Sequence, residues 1–110
     1  MKNILITTLT LTGILFTVAV ASAEDGKAVY TASCVKCHGE GGAGKTKMGE
    51  KLGARDYSQK ATWSEITDQR AIQSILQGLK KNDKVLMKPF SDLSVEAAQA
   101  SITYMRTLSK

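Results

Sequence analysis

The sequence predicts an all-α domain: three main helices, joined by long loops, that fold round something other than their own side chains. Three observations lead there. Apolar residues recur at three- and four-residue spacing in three segments, and no segment alternates convincingly in the manner of a strand. The stretch available to fold is of a size at which a hydrophobic core alone is marginal. The chain has only two cysteines, separated by two residues, and a disulfide between them would close too small a loop to staple a fold. A large apolar group at the centre would supply what the core lacks.

At the N-terminus Lys2 is followed by an apolar run from Ile4 to Val20 and then by Ala21-Ser22-Ala23. This is the charged start, apolar middle and small-residue end of a secretory signal peptide. Cleavage is expected after Ala23, which makes residues 1–23 a leader and residues 24–110 one exported domain in the periplasm. The alternative is an uncleaved anchor that leaves the domain facing the same compartment, but the run is at the short limit for spanning a bilayer and threonines dilute it. The leader removes one basic residue, Lys2, so the chain, formally +5 at pH 7, stays basic. That balance suits an acidic partner. With no arginine-rich stripe and no aromatic platform, it does not argue for nucleic acid.

The first helix is expected from about Asp25 to Cys37, with Ala28, Val29, Tyr30 and Cys34 on its apolar side and Gly39 as its stop. Gly39-Glu40-Gly41-Gly42-Ala43-Gly44 reads as a loop, and its side-chain-free residues suit close approach to a flat ligand. Thr67 or Asp68 can cap the second helix, which carries Ile72, Ile75, Leu76 and Leu79 on one face. Gly78 and the polar run from Lys80 to Lys84 end it and lead into a short extended segment, Val85 to Phe90. Ser94 is the expected N-cap of the last helix. Glu96 lies in its first turn and Arg106 and Lys110 near its end, as the helix dipole prefers. Val95, Ala98, Ile102 and Met105, with Leu93 or Leu108, form its inward side.

The chemistry is concentrated in Cys34-Val35-Lys36-Cys37-His38, a C-x-x-C-H sequence of the kind that attaches c-type haem. On one helical turn the two thiols reach the two vinyl positions of a porphyrin, and His38 can supply the proximal imidazole. A thioredoxin-like redox pair would need a βαβ context that is missing here. A structural zinc site would need four ligands, more than two Cys and one His provide. The expected fold is therefore three helices and loops wrapped around one covalent haem c. Because His38 is the only histidine, the second axial ligand cannot be another imidazole of the same chain. Met48 follows His38 too closely to reach the opposite face of a porphyrin easily, and Met105 sits mid-helix among apolar positions. Met87 stands in the extended segment before Pro89, which restrains Lys88 and helps hold the sulfur in place. It is the expected ligand.

On these residues the domain resembles class I cytochrome c nearly end to end: Gly26 and Tyr30 ahead of the motif, Met87 with Pro89 after it, and Tyr104-Met105-Arg106-Thr107-Leu108 in the last helix. The resemblance implies a cytochrome c-like fold in which the first and last helices cross, with Gly26 and Tyr30 meeting the Tyr104 region. One departure is Lys88, which stands between Met87 and Pro89 where the commonest pattern joins Met directly to Pro. With His38 and Met87 filling both axial positions, the iron would carry single electrons between redox partners, and no catalytic residue is expected. A five-coordinate haem sensor and a haem-bearing module of a larger respiratory complex are the alternatives. A peroxidase would need a distal acid-base group, and no second histidine is available. Lys36, Lys45, Lys47, Lys84 and Lys88 are candidates for docking a redox partner with an acidic surface. Membrane contact is expected only through an uncleaved leader or a membrane-bound partner. Trp63 reads as packing and Arg55 as solvent-exposed, with a propionate contact from Tyr57, Trp63 or Arg55 as the alternative.

Overall fold

The computed structural model describes residues 13–17 and 23–110. Most of the expected leader, residues 1–12 and 18–22, lies outside the described residues. Among the described residues no helix is long and apolar enough to cross a membrane. The described residues form six helices: α1 (Ala23–Ser33), α2 (Val35–His38), α3 (Lys47–Leu52), α4 (Lys60–Ser64), α5 (Asp68–Gln77) and α6 (Val95–Thr107). Between α5 and α6 lies an antiparallel hairpin of β1 (Leu79–Lys81) and β2 (Lys84–Met87).

The crossing of α1 and α6 is the frame of the fold. It depends on Gly26, because a Cβ at that position would stand 1.8 Å from the Ala100 carbonyl oxygen. Glycine lets the two backbones touch. One turn later the buried ring of Tyr30 meets Tyr104, with centroids 5.4 Å apart. Ala98, Ile102 and Met105 fill the inner side of α6 as expected, and the buried Ser101 hydroxyl is satisfied by the Ala98 carbonyl at 2.7 Å. α5 then packs on α6 through Ile75 and through a polar tie in which Arg106 Nε donates to Asp68 Oδ1 at 2.7 Å and Gln99 Nε2 to Asp68 Oδ2 at 3.1 Å. Both predicted caps form. Thr67 Oγ1 accepts from the Arg70 amide at 3.1 Å, and Ser94 Oγ from the Ala97 amide at 3.0 Å.

The structure corrects the sequence reading in four places. The first helix breaks at Cys34, so its predicted last turn is the separate α2. Val95 is 55% exposed, because the inward face of α6 begins only at Ala98. Leu79 is not on the buried face of α5; Gly78, at φ +74°, ends that helix and Leu79 opens β1, 41% exposed. The expected absence of strands is also overturned, since Asn82 (φ 50°) and Asp83 (φ 62°) form a two-residue turn between β1 and β2. Two consecutive left-handed residues match the twist of the flanking strands, and Asn and Asp tolerate that conformation better than most residues. The small hairpin leaves the domain predominantly helical.

Candidate functional site

The C-x-x-C-H sequence folds into one tight turn. The amides of Cys37 and His38 both reach the Cys34 carbonyl, at 3.3 and 3.0 Å, and the Gly39 amide reaches Val35 at 2.8 Å. The chain leaves α2 through Gly39 at φ +78°, a conformation suited to glycine. Surrounding residues then fasten the turn's carbonyls: Thr46 Oγ1 donates to Cys37 at 2.9 Å, the Gly44 amide donates to His38 at 2.8 Å, and the Tyr30 hydroxyl donates to Gly39. Thr46 also caps α3 by accepting from the Gly49 amide at 2.9 Å. Gly49 must be glycine for this contact, because a Cβ there would come within 2.3 Å of the Cys37 carbonyl oxygen. Of these supports only the Thr46 cap, three residues before Gly49, left a local signal in the sequence.

No disulfide joins Cys34 and Cys37. In the haem-free chain burial, reinforced by the neighbouring Cys37, pushes the Cys34 thiol up to about 11. Burial pushes His38 below the usual imidazole range, which favours the neutral, metal-ligating form. Its Nδ1 is buried and has no hydrogen-bond partner among the described residues. The ring of Tyr57 stands edge-on to the imidazole, with centroids 5.6 Å apart and an interplanar angle of 61°.

Met87 stands at the end of β2, opposite Leu79. It is half-buried and packs against the core cluster that contains Cys34, Ile75 and Tyr30. Gly78 makes its placement possible: a Cβ there would lie 2.6 Å from the Met87 carbonyl oxygen and 2.8 Å from the Pro89 nitrogen. The Phe90 amide then ties the end of the loop to the Ile75 carbonyl at 2.8 Å. The other methionines are placed differently. Met105 is 5% exposed within the core, and Met48 lines a cleft of about 250 Å³ with Lys36, Lys47 and Lys51. Trp63 is buried and Arg55 exposed, as read from the sequence, with Arg55 paired to Glu65 at 3.3 Å.

The family model for subunit III of cbb3-type cytochrome c oxidase matches residues 21–105 of this chain. The chain is a small c-type cytochrome. Among solved structures, the KustC0563 c-type cytochrome superposes with a TM-score of 0.68 at 32% identity, covering 78% of this chain and 99% of its own. A tyrosine-to-phenylalanine mutant of that protein matches at 0.66 and 30%, over 77% and 99% of the two chains. No curated protein matches the sequence. The cytochrome therefore has a cytochrome c-like fold, carries covalently attached haem c and belongs to a family of electron carriers that work with redox partners.

The residues present fit that group. Two cysteines not tied in a disulfide and an imidazole that burial pushes below its usual range share one turn. On α5 Ile75 alone is fully buried, while Ile72, Leu76, Met87, Phe90 and Leu93 are half-buried against the core. Their remaining apolar surface is what a buried porphyrin would cover.

Proposed function

We propose that this cytochrome is an exported one-electron carrier whose haem is bonded to Cys34 and Cys37, with His38 and Met87 as the axial ligands of the iron. The observation that carries the reading is the pairing of one closed turn bearing both thiols and the only histidine with a methionine held against the same core by Gly78 and Phe90. When bound, the haem supplies a one-electron couple between ferric and ferrous iron. The chain's task is to fill both axial positions, so that no site is left for a substrate, and to keep the couple in apolar surroundings. A thioether ligand and burial both favour the ferrous state and raise the potential.

Export to the periplasm is supported by the leader pattern over residues 1–23, which leaves residues 24–110 as the working domain. Lys36 from the attachment turn and Lys47 and Lys51 from α3 line one cleft, a basic surface beside the site that suits an acidic face on a redox partner.

The test is the absorption spectrum of the holoprotein, oxidised, reduced, and reduced under carbon monoxide. The expected result is reversible one-electron reduction to a low-spin ferrous form that carbon monoxide leaves unchanged. High-spin bands that shift with carbon monoxide would mean an open iron position and would overturn the proposal.

A further inference from the structure

A histidine that binds a metal nearly always donates its other ring N–H to a carboxylate, a carbonyl or water, and that bond fixes the rotation of the ring. In this chain His38 Nδ1 is buried, with no hydrogen-bond partner among the described residues. The aromatic group set against the imidazole is Tyr57, edge-on at 5.6 Å. Tyr57 is itself held from several directions. Its amide donates to the Gly42 carbonyl at 2.8 Å, and its ring packs on Trp63 with centroids 4.7 Å apart. Trp63 Nε1 donates back to the Tyr57 carbonyl at 3.0 Å. The indole lies under the Arg106 guanidinium at 4.5 Å, and Arg106 is fixed in turn by Asp68 and by the Ile66 carbonyl at 3.2 Å.

From this arrangement we infer that Tyr57 is a positioning residue for His38, its held ring edge setting the plane of the axial imidazole by aromatic contact. The inference rests on the proposal that His38 ligates the iron. One consequence follows from the contact: the ring orientation should depend on the edge of residue 57 and hardly at all on its hydroxyl.

The experiment compares the native ferric holoprotein with Tyr57→Phe and Tyr57→Leu by proton NMR of the hyperfine-shifted haem methyl and imidazole signals, together with the reduction potential. Tyr57→Phe should keep the native methyl pattern and potential. Tyr57→Leu should reorder or compress the methyl shifts and move the potential while the haem remains covalently bound and low-spin. If Tyr57→Leu does not fold, Tyr57→Met fills the same space without a rigid ring edge and is read in the same way. A native methyl pattern in the Leu or Met variant would overturn the inference. Absence of hyperfine-shifted imidazole signals from the native protein would overturn the ligation proposal itself, so the two failures are distinguishable.

Discussion

The turn that carries Cys34, Cys37 and His38 is bonded to its surroundings through the carbonyls of Cys37, His38 and Gly39, and Tyr57 and Tyr30 pack on it from the core side. Met87 instead stands at the base of a two-stranded hairpin whose residues from Leu79 to Val85 are exposed. An isolated two-stranded hairpin is marginal in water, so this one depends on its junctions at Gly78 and Phe90. The comparison teaches that the two proposed ligands have unequal support. The histidine side should open only with the whole domain, and the methionine side should yield first.

Each of four substitutions breaks or sharpens that contrast. The largest effect is expected from Gly26→Ala, which drives a Cβ into the Ala100 carbonyl at the helix crossing. Overpacking of backbone on backbone should cost about 3 kcal/mol or more, a fall in Tm of roughly 10 °C or more, with both sides of the site lost together in a thermal melt. Next is Gly78→Ala, where the added Cβ meets the Met87 carbonyl and the left-handed backbone is strained as well. At a cost of about 1–3 kcal/mol it should remove the methionine's spectral signature while the haem stays attached. Equal damage to both sides would contradict the contrast.

Two smaller effects follow. Asp83→Gly places glycine at φ 62° in the hairpin turn and should strengthen it by about 0.5 kcal/mol. The far-red band of the Met-ligated ferric haem should then survive to higher temperature with the global Tm hardly changed. The last effect concerns the polar tie between α5 and α6. Partial burial pushes the Asp68 carboxyl up, but hydrogen bonds from Gln99 and Arg106 and the charge of Arg106 outweigh it and hold the group below the usual carboxylate range. The pair's contribution is therefore complete above about pH 4–5, where an unfolded Asp is ionised, and is lost as the pH falls through the lower folded value. Asp68→Asn should flatten this part of the acid unfolding curve by no more than about 1 kcal/mol, since both partners are partly exposed. It should leave the methionine band intact.

The sequence made the histidine side easier to read than the methionine side for the same physical reason. The attachment turn is local, and its spacing alone states what three side chains share one turn. The crossing of α1 and α6, with Gly26 and Tyr30 meeting the Tyr104 region, was implied by the resemblance to class I cytochrome c, whereas the caps were legible through Thr67 and Ser94 because each follows a short-range rule. The hairpin was not legible. Lys80-Lys81-Asn82-Asp83-Lys84 carries no apolar alternation and no Asn-Gly, so its turn depends on two left-handed residues that read equally well as loop. Helices α3 and α4, of six and five residues, are too short to show a period. The contact of Tyr57 with His38 joins residues far apart in the chain, and no spacing rule selects it.

The central claim is that Met87, and no other sulfur, completes the iron's coordination opposite His38. The most direct test is the weak far-red absorption band of the ferric holoprotein in Met87→Ala and Met48→Ala. The account predicts that the band disappears in Met87→Ala and persists in Met48→Ala, whose side chain lines the lysine cleft. A band that survives in Met87→Ala, or is lost in Met48→Ala, would contradict it.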